Sequence, residues 1–234
     1  MTRLMKQSTH DARAQRVSVG PLRRVAVLVM ALAISAGVAV VVLGSTSAPS
    51  GAAHRPTIAT APFSAPSGVT LADSQPPWPL PSDARPYIDA AELSVLDAEQ
   101  LAVHYHSHLD VIANGKKVTL PAGIGFVIQN NKAQGITVLH THDTTGIIHI
   151  ESAKNKPYTL GQVFTEWGVA LDADQVGGLH VDDTHVLQAY VNGRRFTGDP
   201  ATIRLRKHLE IALWYGPKGE TPTVPKSYKF PAGL

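Results

Sequence analysis

Six histidines fall in two clusters within one stretch of the chain. His104, His106 and His108 lie in the run His-Tyr-His-Ser-His-Leu-Asp, and His140, His142 and His149 follow in His-Thr-His-Asp-Thr-Thr-Gly-Ile-Ile-His-Ile-Glu. They are six of the chain's 11 histidines. Imidazoles gathered together repel one another when protonated and each needs hydrogen-bond partners when buried, so packing alone is a poor reason for such a cluster. Neutral imidazole is a transition-metal ligand, and the chemistry these residues point to is binding of an ion such as Zn²⁺ or Cu²⁺. Unperturbed imidazole titrates near pH 6.5, so binding is expected to weaken as pH falls through about 6. Two other readings stay open: a hydrogen-bonded structural or pH-responsive network, and binding or catalysis without metal.

Strand geometry turns the spacing into a surface. Alternate residues of a β-strand project to one side, so His104, His106, His108 and Asp110 share a face while Tyr105, Leu109 and Val111 share the other. The second cluster reads as two strands joined by a tight turn at Asp143–Gly146. In that register His140 lies opposite His149, with His142 and Glu151 on the same face and Leu139, Ile148 and Ile150 on the reverse. Directly opposed residues have Cβ atoms roughly 4.5–5.5 Å apart, and imidazole nitrogens bind Zn²⁺ at about 2.0–2.1 Å, so His140, His142 and His149 can converge on one ion. A His104–His108 strand beside this hairpin would supply more ligands than one ion needs.

Carboxylates accompany the rings. Asp110, Asp143 and Glu151 could orient ligating histidines and fix their tautomers, and Asp143 could instead close its own turn through an Asx bond. Glu151 has one further role open to it, as general base beside a metal-bound water in an enzyme. No Ser-His-Asp nucleophile motif, phosphate-cradling glycine loop or zincin helix is present. Single histidines such as His180, His185 and His208 read as surface residues.

The chain has no cysteine, and its three methionines (Met1, Met5, Met30) all precede the histidines. Disulfides, thiolate sites and a blue-copper centre are excluded, and a metal here must use nitrogen and oxygen ligands.

The N-terminus has a different character. Residues 1–24 carry six basic side chains and one acid, a charge of +5, so the remainder carries −2 of the chain's net +3. Val25–Gly44 is free of charge, and its 20 residues at about 1.5 Å each would span roughly 30 Å, the hydrocarbon thickness of a bilayer. The expectation is a basic cytoplasmic tail, one transmembrane helix over 25–44, and everything beyond outside the cytoplasm, by the positive-inside bias. A cleavable signal peptide is the competing reading. With the basic charge confined to the tail, the folded part has no electrostatic case for binding nucleic acid; the partner expected is the membrane itself.

Residues 45–82, rich in Ser, Ala, Thr and Pro, read as an extended linker. Residues 83–234 read as one extracytoplasmic domain of α+β, mainly β class. A weak helix is expected between Ala84 and Val103, and Asn114-Gly115 and Asn192-Gly193 mark two-residue hairpins. Thr159 with Gln162 forms a capping box ahead of a short helix that stops at Gly168. Strands are expected at Val186–Val191, Ile203–Leu205 and Leu209–Tyr215, giving a β-grasp-like silhouette. The tail beyond Gly216 is expected to be irregular, with Tyr228 and Phe230 docking back.

The series His104-Tyr-His-Ser-His-Leu-Asp, Asn114-Gly-Lys, Pro121-Ala-Gly-Ile-Gly, His140-Thr-His-Asp, Gly146-Ile-Ile-His-Ile-Glu-Ser, Thr159-Leu-Gly-Gln and Tyr190-Val-Asn-Gly resembles an uncharacterised family of membrane-anchored or secreted bacterial envelope proteins with clustered His-x-His motifs. The resemblance spans about residues 100–234. It implies a bacterial envelope setting and no particular activity.

Overall fold

The computed structural model describes residues 66–234. The basic tail, the expected transmembrane helix and the first part of the linker lie outside these residues. Among the described residues no helix is long and apolar enough to cross a membrane.

Strands dominate. In chain order the elements are α1 (Arg85–Ala90), β1 (Val103–Ala113), β2 (Lys116–Val118), β3 (Phe126–Gln129), β4 (Lys132–Ile136), β5 (Leu139–His140) and β6 (Ile147–Ser152). After these come α2 (Leu160–Trp167), β7 (Gln175–Val176), β8 (Leu179–His180), β9 (His185–Val191), β10 (Arg194–Phe196) and β11 (Leu209–Pro217). The main sheet runs β10-β9-β11-β1-β6-β5, with β2 also paired to β1. It is mixed: β1 and β11 are parallel, and the other pairings are antiparallel.

Local chemistry explains the turns. Asn114 and Gly115 have φ of 49° and 76°, and Asn192 and Gly193 have 50° and 71°, the left-handed pair a two-residue hairpin requires and Asn-Gly tolerates best. The capping box forms as expected. Thr159 accepts from the Gln162 amide, Gln162 reaches back to the Thr159 N–H, and Gly168 ends the helix at φ 75°.

One face of the sheet is apolar. Leu109 and Val111 of β1, Leu139 of β5, Ile148 and Ile150 of β6, and Ile211 and Leu213 of β11 form a single core with Leu160, Val163, Phe164 and Trp167 of α2. The opposite face carries the histidines.

Three expectations change. The linker was expected to bury nothing as far as residue 82, yet Trp78 is 2% exposed and packs edge-on against Trp167 with ring centroids 5.6 Å apart. Trp167 donates its indole N–H to the Trp78 carbonyl, and Ala72 bridges to Val169. A single aromatic anchors a segment whose composition is otherwise that of a solvated chain. The helix expected between Ala84 and Val103 shrinks to the six residues of α1, because Glu92, at φ 58°, turns the chain away. Ile203–Leu205 contributes only an isolated bridge, Arg204 to Thr159, after the 3-10 turn Pro200–Thr202.

Candidate metal centre

Three strands place the candidate ligands. β1 and β6 pair antiparallel, setting His106 opposite His149 and His104 opposite Glu151. β5 pairs with β6 so that His140 also faces His149, the register expected from parity. Cross-strand partners share a face, so His104, His106, His140, His149 and Glu151 crowd one patch of sheet. His142 lies just past β5, in a connection longer than the tight turn expected, and its ring still reaches the patch, with centroids 4.8 Å from His140 and 4.5 Å from His149.

Four donor atoms form a closed ring. His104 Nε2 is 3.1 Å from His106 Nε2, which is 3.1 Å from His149 Nδ1; Glu151 Oε1 lies 3.3 Å from His149 Nδ1 and 3.2 Å from His104 Nε2. An ion held at about 2.0–2.1 Å by four tetrahedral ligands sets ligand-to-ligand edges of roughly 3.3–3.4 Å. The four sides of the ring fall within a few tenths of an ångström of that figure, and the group's donor atoms all lie within 4.8 Å of one another. A second group, His140, His142, His149 and Glu151, also brings one donor atom each to within 4.8 Å of the rest. These groups could hold a metal ion.

His140 is set up for ligation. It is 1% exposed, and its Nδ1–H donates to the Thr137 carbonyl at 2.9 Å, which leaves the lone pair on Nε2. Nε2 has no hydrogen-bond partner and points toward Glu151 Oε2, 3.8 Å away, which has none either. A backbone carbonyl on one ring nitrogen and a bare lone pair on the other is the arrangement that orients metal-bound histidines. Gly125, at φ 76°, lets its loop pass close under this corner, because a Cβ there would collide with the Leu139 carbonyl.

Electrostatics favour a cation. Burial, reinforced by neighbouring imidazoles, holds His106 and His140 down at about 4 and His149 at about 3, so all three are neutral at pH 7. For His140 the Thr137 hydrogen bond works the other way and is outweighed. Neutral rings are what coordination needs, and acid would compete with a metal at these positions only well below the pH of about 6 expected from free imidazole. Burial, followed by the Glu99 carboxylate, pushes Glu151 up, which an adjacent cation would reverse.

His108 stands apart from the other five. Its Nδ1 is 2.8 Å from Glu210 Oε2, with one proton between them, and its Nε2–H donates to the Thr145 carbonyl at 2.9 Å. Tyr228 stacks on the ring at 3.7 Å, so the tail does dock back; Phe230 stacks on His208. His108, Asp110 and Glu210 also gather within ligand distance of one another. There, however, both ring nitrogens are engaged and the Lys117 ammonium already sits on Asp110.

The carboxylates divide. Asp143 accepts from the Thr145 N–H and hydroxyl, an Asx-type turn, and Asp110 serves Lys117. Glu151 lies among the candidate ligand atoms. Glu99, at the rim, has Oε1 3.4 Å from His142 Nε2; nothing in its sequence context marked it. His180 is an exposed partner of Asp73, outside the histidine patch.

Comparison with protein-family models, with curated proteins and with solved structures finds no match.

Proposed function

We propose that this is a single-pass, membrane-anchored envelope protein whose extracytoplasmic histidine face binds a transition-metal ion, Zn²⁺ or Cu²⁺, to store it or pass it on. The observation that carries the metal reading is the ring formed by His104 Nε2, His106 Nε2, His149 Nδ1 and Glu151 Oε1, with sides of 3.1–3.3 Å. Nitrogen and oxygen donors with no thiolate or thioether suit zinc or divalent copper and disfavour monovalent copper. The anchor rests on the basic segment and uncharged Val25–Gly44, and the bacterial envelope setting on the family resemblance. A sheet whose central parallel strands are the first and last, with α2 across its apolar face, supports a β-grasp-like description.

Storage or delivery is preferred to an enzyme because Glu151 Oε1 stands in the ligand ring, leaving it poorly placed as a free base. Elemental analysis of the purified full chain tests the proposal: bound Zn or Cu is expected in the wild type and in His180→Ala, and is reduced in His106→Ala/His149→Ala. Equal metal content in all three would refute it. Accessibility to protease, in intact cells, of a tag placed after Leu234 tests the topology; a protected tag would overturn the envelope assignment.

A further inference from the structure

We propose that the histidine face holds two transition-metal ions, bridged by the carboxylate of Glu151. This rests on the metal-binding reading above and goes beyond it in nuclearity. The two oxygens of Glu151 address different histidines. Oε1 lies 3.2 Å from His104 Nε2 and 3.3 Å from His149 Nδ1, whereas Oε2 faces His140 Nε2 at 3.8 Å. One ion in the first ring accounts for His104, His106, His149 and Oε1. It leaves Oε2 and His140 Nε2, both buried, without a hydrogen-bond partner. Orphaned buried polar atoms cost about 1–3 kcal/mol each, and here the two face each other across a gap.

A second ion between them removes both deficits. It takes His140 Nε2, a nitrogen of His142 and Glu151 Oε2, three donors of the group that shares His149 and Glu151 with the first. Closing the gap from 3.8 Å to a tetrahedral edge of roughly 3.3–3.4 Å needs about half an ångström of movement. A carboxylate that gives one oxygen to each ion suits the separation of roughly 3.5–4 Å found in two-metal centres. Charge supports the pair as well, since Glu99 brings a second carboxylate to the rim beside His142. Each position carries one exposed histidine, His104 on the first and His142 on the second, with its other ligands buried, so ions can reach both from solvent.

The test uses the full chain in detergent, stripped with chelator and titrated with Cu²⁺. Native mass spectrometry counts ions per chain, and electron paramagnetic resonance reads their coupling. Two Cu²⁺ per chain are expected, with a spectrum broadened by spin–spin interaction and integrating to less than two isolated spins. His140→Ala/His142→Ala should bind one Cu²⁺ with the sharp spectrum and full intensity of an isolated ion. Glu151→Gln, which keeps the side chain's size but cannot bridge as a carboxylate, should lose the coupling. A wild type that saturates at one ion overturns the pair and leaves the metal site standing. No bound copper overturns both. Two ions without coupling overturn the bridge.

Discussion

Acidifying the metal-free protein should destabilise it through His140 in particular. This ring is neutral and buried in the folded state, with its titration depressed from 6.5 to about 4, mainly by burial. In the unfolded chain it takes up a proton near 6.5; in the folded protein it does so only near 4. Its contribution is therefore intact above pH 6.5 and is lost progressively as pH falls toward 4, where both states are protonated. At about 1.4 kcal/mol per pH unit, that interval amounts to about 3 kcal/mol, a sizeable part of the roughly 5–15 kcal/mol that holds most domains folded. His140→Gln removes the titration while keeping a donor for the Thr137 carbonyl. Urea unfolding followed by tryptophan fluorescence, with chelator present, measures the effect, because Trp78 and Trp167 are buried together. Between pH 7 and pH 4 the wild type should lose about 3 kcal/mol more than His140→Gln, while exposed His180→Gln should track the wild type. Parallel curves for wild type and His140→Gln would refute the reasoning.

Three further outcomes follow. Zinc bound to His106, His140 and His149 should be retained at pH 5 in equilibrium dialysis and released near pH 4, since these rings protonate at about 4, 4 and 3 in the folded protein; release at pH 6 would contradict the burial argument. His108→Ala should lower stability by about 2–4 kcal/mol in chemical denaturation, through the stranded Glu210 and the lost stack on Tyr228, and leave metal content unchanged. Trp78→Ala should cost about 3–5 kcal/mol by the same assay, because Trp78 is buried in the core; almost no loss would show residues 66–82 to be a solvated spacer.

What the sequence disclosed was local. The alternation of His104, His106 and His108 against Leu109 and Val111, and of His149 and Glu151 against Ile148 and Ile150, is the period of two that a sheet with one apolar face imposes, and it carried the His140–His149 register with it. The Asn-Gly hairpins and the Thr159 capping box were legible because each depends on two or three adjacent residues. The parallel pairing of β1 with β11 was not, since no local signal links strands so far apart in the chain. That pairing sets Glu210 opposite His108 and so takes His108 out of the histidine patch; parity alone could not reveal it. Glu99 and Trp78 escaped for a related reason, each lying in irregular chain where burial and proximity are set by distant partners. The β3–β4 hairpin also went unseen: its turn is Asn130-Asn131, both at left-handed φ, without the glycine that marks the other two.

Crystals of the full chain grown with Zn²⁺ and measured at the zinc absorption edge test the metal site most directly. An anomalous peak is expected about 2.0–2.1 Å from His106 Nε2 and His149 Nδ1, with His104 Nε2 and Glu151 Oε1 completing its shell. A peak confined to surface pairs such as His180 and Asp73, or none on the sheet's histidine face at saturating zinc, would contradict the account.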